Sequence, residues 1–83
     1  MPLFMDIHRV EPGVSMDDVA KAHQADLANQ GPYDVDYLRY WVDEDQGRIF
    51  CLAEAPDAEA LVAVHRAAHG LLAAEIHQVR EGS

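Results

Sequence analysis

The chain has 83 residues, enough for one domain with a small core. Because Cys51 is the only cysteine, no disulfide forms within a monomer, and a metal ion or oligomerisation is the expected support for so small a core. Fifteen acidic and six basic residues give a formal charge of -9, which disfavours binding to nucleic acids or anionic membrane surfaces. With no apolar run near the ~20 residues of a membrane span and no recognisable secretory signal, a cytoplasmic protein is expected.

The first half of the chain predicts a strand, a helix and a second strand. Residues 3–10 have strand composition and are followed by the turn sequence Glu-Pro-Gly. Ser15 with Asp18 three positions later is a capping signature, which predicts a helix over residues 16–30. Gly31 and Pro32 should end that helix. Residues 34–43 are rich in Tyr, Trp and Val and predict a strand.

The second half predicts a hairpin, a helix and a last strand. A loop over residues 43–47 leads to a returning strand over residues 48–55. Pro56 and Asp57 should open a helix over residues 58–69 that ends at Gly70, and residues 75–79 should form the final strand. The order β-α-β-β-α-β predicts one α+β domain over residues 1–83, a ferredoxin-like sandwich with an antiparallel sheet and both helices on one face.

The second face of that sheet also needs a cover. Aromatic and aliphatic side chains alternate on both faces of the strand over residues 34–43, so neither face is plainly polar. Since large exposed apolar patches are rare on monomers, we expect a homodimer through this face. The alternative is a monomer that tolerates exposed aromatic residues.

Histidines on the inward faces of both helices are candidate metal ligands. At 100° per residue, His23 lies near the centre of an apolar stripe and Asp26 at its edge. In the second helix His65 lies within the stripe and His69 follows at i+4, a spacing found in helical metal sites. The predicted inward residues are Met16, Val19, Ala20, His23 and Leu27 in the first helix and Leu61, Val64, His65 and Ala68 in the second. Three converging imidazoles predict a site for a late first-row divalent ion; alternatively, each ring hydrogen-bonds a carbonyl or Asp26 and is only structural.

The strands carry further candidates. Cys51 is predicted to be a thiolate ligand, or a nucleophile beside a histidine, if its face meets the helices, and an inert buried residue otherwise. His8 and His77 are expected near one another on neighbouring strands, either as a solvated surface pair or, with Asp6, as a separate metal site.

Four segments of the chain resemble a family of small proteins of unknown function that includes a dimeric nickel-binding protein with a ferredoxin-like fold. They are MPLFMDIH, AHQADL, LRYWVDEDQGRIFCLAEAPDAEA and VHRAAHGLLAAEI, and together they span nearly the whole chain. The resemblance implies a homodimer that binds Ni²⁺ for sequestration or detoxification. The positions that match the family's pattern are His8, His23, Cys51, His65 and His69, whereas His77 does not match it.

The leading interpretation is therefore a non-catalytic nickel-binding homodimer. Its candidate ligands are His23, His65, His69, Cys51, His8 and Asp26. The runner-up is a small dimeric α+β-barrel enzyme, in which a histidine acts as general base with help from Cys51, Tyr37 or Asp26. A cavity of roughly a few hundred Å³ would favour the enzyme and a closed histidine cluster would exclude it. A third interpretation is an interaction module with structural histidines.

Overall fold

A four-stranded antiparallel sheet and two helices form the fold in the computed structural model, which describes residues 1–82. The elements are β1 (Leu3–Arg9), α1 (Met16–Asn29), β2 (Asp36–Asp43), β3 (Arg48–Glu54), α2 (Ala58–Ala68) and β4 (Glu75–Val79), with a 3-10 turn at Gly31–Tyr33. The sheet order is β2-β3-β1-β4. The predicted β-α-β-β-α-β order is confirmed. Within residues 1–82, no helix has the length and apolar character needed to cross a membrane.

Both helices begin at the predicted capping residues. Ser15 Oγ accepts a hydrogen bond from the Asp18 N–H at 3.1 Å, and Asp57 Oδ1 accepts one from the Ala60 N–H at 2.9 Å. These side chains satisfy N–H groups that the first turn of a helix leaves without a partner. At the other end of α2, Gly70 adopts a φ of 77°, which lets its N–H bond the His65 carbonyl and close the helix.

The side of the sheet that faces the helices contains polar residues within an apolar core. Phe4, Asp6 and His8 alternate along β1 and are all buried on this side. The apolar core comprises Phe4, Val19, Val35, Tyr37, Ile49, Cys51, Ala53, Ala55, Leu61 and Val64. The face that Cys51 occupies, which the sequence left open, is thus the face covered by the helices.

The opposite side of the sheet, here called the outer sheet face, is apolar and only partly covered. Register pairs Met5 with Leu52, and Phe50 with both Ile7 and Trp41, so these side chains share one face. Trp41 is 46% exposed. The apolar residues of the outer sheet face are Leu3, Met5, Ile7, Trp41, Phe50 and Leu52. Arg39, Glu75 and His77 share this face by register, and it is the surface that the sequence predicts to lie in a dimer.

The buried face of α1 differs from the predicted stripe. Val19 and Asp26 are the buried residues of this helix, whereas Met16 is 46% exposed and Leu27 is 36% exposed. The prediction that Met16 and Leu27 point inward is therefore wrong, and Asp26 lies inside rather than at the edge. The physical reason is that the Asp26 carboxylate has an imidazole partner in the interior, at His65.

The predicted proximity of His8 and His77 is also wrong. Strands β1 and β4 do pair, but His77 lies opposite Met5 and therefore projects to the outer sheet face, where it is exposed. His8 is buried on the helix side. Side chains alternate along a strand, so Met5 and His8 point to opposite faces of β1. Since His77 lies opposite Met5, its ring and that of His8 are on opposite faces of the sheet.

Candidate metal centre

The His65 imidazole lies between two buried carboxylates. Its Nδ1 is 2.9 Å from Asp26 Oδ1 and its Nε2 is 2.8 Å from Asp6 Oδ2. Burial by itself lowers the pKa of His65, but the hydrogen bonds and charges of the two carboxylates outweigh it and raise this pKa to about 9. In the metal-free protein the ring is therefore protonated at neutral pH, and each nitrogen donates to one carboxylate.

Asp26, His65 and His69 form one set of converging donor atoms, here called the outer group. Asp26 Oδ1 is 2.9 Å from His65 Nδ1 and 3.0 Å from His69 Nε2, and the two nitrogens are 3.2 Å apart. The i, i+4 spacing of the two histidines in α2 brings their rings together, as predicted. His69 lies at the end of α2 with 14% of its side chain exposed, so the outer group is close to the surface. Burial lowers the pKa of His69, although the Asp26 charge opposes this effect.

Asp6, His8 and Cys51 form a second set, here called the inner group. Asp6 and Cys51 are direct partners in the β1–β3 register, and His8 follows Asp6 on the same face of β1. His8 Nε2 lies 3.0 Å from Asp6 Oδ1, yet outside hydrogen-bond geometry, so this oxygen has no hydrogen-bond partner within residues 1–82. All three residues are buried, and Asp6 is 0% exposed.

Electrostatic interactions in the inner group keep Asp6 ionised and Cys51 protonated. Burial raises the pKa of Asp6, but the hydrogen bond from His65 and the nearby His8 ring outweigh it and hold this pKa at about 2. Burial raises the pKa of the Cys51 thiol far above its ordinary value, and the Asp6 charge adds to the effect. The metal-free inner group is thus a carboxylate beside a neutral thiol.

Tyr37 joins the two groups from β2. Its hydroxyl lies 2.8 Å from His65 Nε2 and donates to Asp6 Oδ2 over a longer distance of 3.5 Å. The Tyr37 N–H donates to Gln30 Oε1 at 2.9 Å, which ties this part of β2 to the end of α1. Burial, together with the Asp6 charge, raises the pKa of the Tyr37 phenol well above its ordinary value. From the sequence, Tyr37 was a candidate only for assisting the general base of the alternative enzyme, and its contact with His65 was not predicted.

The pairing of Asp6 with His65 was not foreseen either. The sequence associated Asp6 with His8 and His77, and the available signal was the alternation that places Asp6 and His8 on one face of β1. Knowing that this face meets α2 requires the tertiary structure.

A small pocket leads to these groups. It is lined by His8, Val19, Ala22, His23, Asp26, Tyr40, Ile49, Cys51, His65, His69 and Leu71. His23 lies outside both groups, with its ring centre 4.6 Å from that of Tyr40. The space open to water-sized molecules is about 20 Å³, close to that of one water molecule or ion. Organic ligands typically occupy pockets of about 300–1,000 Å³, so the pocket suits an ion better than an organic substrate.

Comparison with known proteins identifies the relatives of this chain. The family described as nickel responsive protein SCO4226-like matches residues 4–79. The chain belongs to the SCO4226-like family. The crystal structure of SCO4226 from Streptomyces coelicolor A3(2) is 43% identical in sequence, with a TM-score of 0.91, and the match covers 98% of this chain and 99% of that one. A search of curated proteins found no match.

The match to the SCO4226-like family confirms two predictions from the sequence. One is the resemblance to a small family linked to nickel, and the other is the ferredoxin-like α+β fold. The matched range, residues 4–79, includes every donor of the inner and outer groups.

Proposed function

We propose that the protein binds Ni²⁺ at the outer group and sequesters it. The observation that carries the proposal is the convergence of Asp26 Oδ1, His65 Nδ1 and His69 Nε2, which lie within 3.2 Å of one another. The description of the SCO4226-like family supports nickel as the ion. A late first-row ion other than nickel would fit the same donors, since imidazole and carboxylate serve several of them.

The spacing of these donors fits a metal ion of this class. Imidazole nitrogens and carboxylate oxygens lie about 2.0–2.2 Å from Zn²⁺, and the other late first-row divalent ions are of similar size. Adjacent ligands of an octahedral ion at that distance are separated by about 3.0 Å. The outer group has separations of 2.9, 3.0 and 3.2 Å, which is the pattern expected of three mutually adjacent ligands.

Two further features support a cation as the cargo. The formal charge of -9 raises the local concentration of cations around the molecule. The small pocket admits an ion but has no room for most organic molecules, which favours metal binding over the dimeric-barrel enzyme. The involvement of His23 as a ligand stays a prediction, as does the cytoplasmic location.

Titration calorimetry of tag-free protein with Ni²⁺, Zn²⁺ and Co²⁺ tests the proposal. We expect Ni²⁺ binding in the wild-type protein and at least tenfold weaker binding in His69→Ala, which removes a half-buried ligand at the end of a helix. His77→Ala is the matched control, because His77 is an exposed histidine outside both groups, and it should bind as the wild type does. Ni²⁺ binding weaker than about 100 μM in the wild type, or unchanged affinity in His69→Ala, would contradict the proposal.

We further propose that the protein acts as a homodimer that buries the outer sheet face. Supporting this, six apolar side chains from three neighbouring strands make up a continuous surface there, and Trp41 is 46% exposed in the monomer. Contiguous apolar patches of this kind mark interaction surfaces in soluble proteins. The metal-binding groups lie on the other side of the sheet, so dimerisation would leave the pocket accessible.

A further inference from the structure

The inner group has features that its place in the core does not require. Asp6, His8 and Cys51 lie on two paired strands, where backbone hydrogen bonds fix the positions of their side chains. Apolar residues at these positions would pack the core without the cost of burying a charge. Their donor atoms instead lie within 4.8 Å of one another.

The second observation is the unpartnered oxygen of Asp6. This carboxylate is 0% exposed, and its Oδ1 lies 3.0 Å from His8 Nε2 but accepts no well-formed hydrogen bond from residues 1–82. A buried carboxylate oxygen that accepts no hydrogen bond is unfavourable, which is why such atoms are rare in folded proteins. Since His8 Nε2 and Cys51 Sγ are its neighbours, a cation among these three atoms would satisfy the oxygen.

We infer that the inner group is a second cation site, selective for a thiophilic divalent ion such as Zn²⁺ and distinct from the outer group. One sulfur, one nitrogen and one oxygen donor form a softer set than the outer group's two nitrogens and one oxygen. His65 Nε2, 2.8 Å from Asp6 Oδ2 and 3.3 Å from His8 Nε2, is positioned as a fourth donor. On binding, the cation replaces the proton of the Cys51 thiol and the proton on His65 Nε2, and both protons are released to solvent.

His65 thus connects the two groups, with Nδ1 toward the outer group and Nε2 toward the inner group. The inner site is argued from its own three donors and does not depend on the outer group being a nickel site. The experiment therefore tests the inner site and the outer nickel site independently of one another.

Zinc-edge X-ray absorption of the wild-type protein loaded with one equivalent of Zn²⁺ tests the inner site without any substitution. We expect one sulfur scatterer at about 2.3 Å, the Zn–thiolate distance. Cobalt provides a second measurement, because a Cys51 thiolate bound to Co²⁺ produces a near-ultraviolet charge-transfer band. This band should persist in His69→Ala, which lacks an outer-group ligand, and disappear in Cys51→Ser.

The outcomes separate the two sites. A sulfur shell and a cobalt charge-transfer band that survive in His69→Ala support the inner site, even if Ni²⁺ fails to bind anywhere. Absence of a sulfur shell in the zinc-loaded wild type overturns the inner site, and so does a cobalt charge-transfer band retained in Cys51→Ser. Calorimetric Ni²⁺ binding that is unchanged in Cys51→Ser supports the separation of the two sites, and its loss overturns that separation.

Discussion

At the scale of single residues, the important interaction is the one between His65 and its two carboxylates. Asp6 and Asp26 are both buried, and each contacts a different nitrogen of the same ring. Removing one partner of a buried ion pair typically costs about 3–5 kcal/mol, because the remaining charge stays in a medium of low polarity. His65 therefore stabilises the metal-free fold, and a bound cation would take over part of that role.

The stability of the metal-free protein should fall as the pH rises from about 6.5 to about 9. The pKa of His65 is about 9 in the folded protein and 6.5 in the unfolded chain, so the folded protein holds this proton more tightly. Its contribution is complete below pH 6.5 and is lost as the pH rises through 9. Urea denaturation in the presence of a chelator measures this dependence.

A matched pair of variants isolates the effect. His77→Gln, at an exposed histidine, should retain the loss of stability between pH 6.5 and 9, whereas His65→Gln should show a much flatter profile. At the acidic end, the lowered pKa of Asp6 contributes stability above pH 3.8 that is lost as the pH falls through 2. A wild-type free energy of unfolding that stays constant from pH 6.5 to 9 would contradict this account.

At the scale of elements, the sequence was informative where apolar periodicity was strong. Leu61, Val64 and His65 are buried in α2 as predicted, because apolar residues dominate that helix. In α1 the predicted stripe is wrong at its two ends, Met16 and Leu27, and a charged residue, Asp26, occupies an inward site. The partner that makes this burial possible is 39 residues away in the chain, and hydrophobic periodicity carries no information about it.

The end of α2 should respond to nickel. The Leu71 N–H donates a hydrogen bond to His69 Nδ1 at 3.0 Å, so this nitrogen carries no proton in the metal-free protein. Binding of Ni²⁺ through Nε2 of a neutral ring places the proton on Nδ1, and the Leu71 amide then loses its acceptor. Hydrogen exchange resolved to single residues should show faster exchange of the Leu71 amide upon nickel binding.

The Ala74 amide provides the internal control for that measurement. It lies three residues further along and donates to the Ile7 carbonyl at 2.8 Å, a backbone bond that does not involve His69. Its exchange rate should be unchanged or slower with nickel. Equal exchange of Leu71 with and without bound nickel would argue that His69 does not ligate through Nε2.

At the scale of the whole molecule, the two sides of the sheet differ in chemical character. The helix side carries the inner and outer groups, and the outer sheet face carries apolar side chains that the monomer leaves partly exposed. A domain of 83 residues buries a limited share of its surface, so a second copy is an economical way to cover this face.

Substitution of Trp41 by Glu should convert the proposed dimer into a monomer. A charge within an apolar interface would be desolvated without a partner, which costs several kcal/mol. Met16→Glu is the matched control, because Met16 is also 46% exposed but lies on α1, away from the outer sheet face. Sedimentation velocity should show a dimer for the wild type and Met16→Glu and a monomer for Trp41→Glu. A monomeric wild type at micromolar concentration would contradict the dimer.

Because side chains alternate along β1, this one strand contributes to both faces of the sheet. Even-numbered residues supply Asp6 and His8 to the side that faces the helices, while odd-numbered residues supply Met5 and Ile7 to the opposite surface. Inserting a single amino acid within this strand would exchange the two sets downstream of the insertion. Ionisable side chains would then point to the outer sheet face, and apolar side chains would point towards the inner group. A point substitution in β1 therefore changes one surface at a time, whereas a change in the length of this seven-residue strand would disrupt both surfaces.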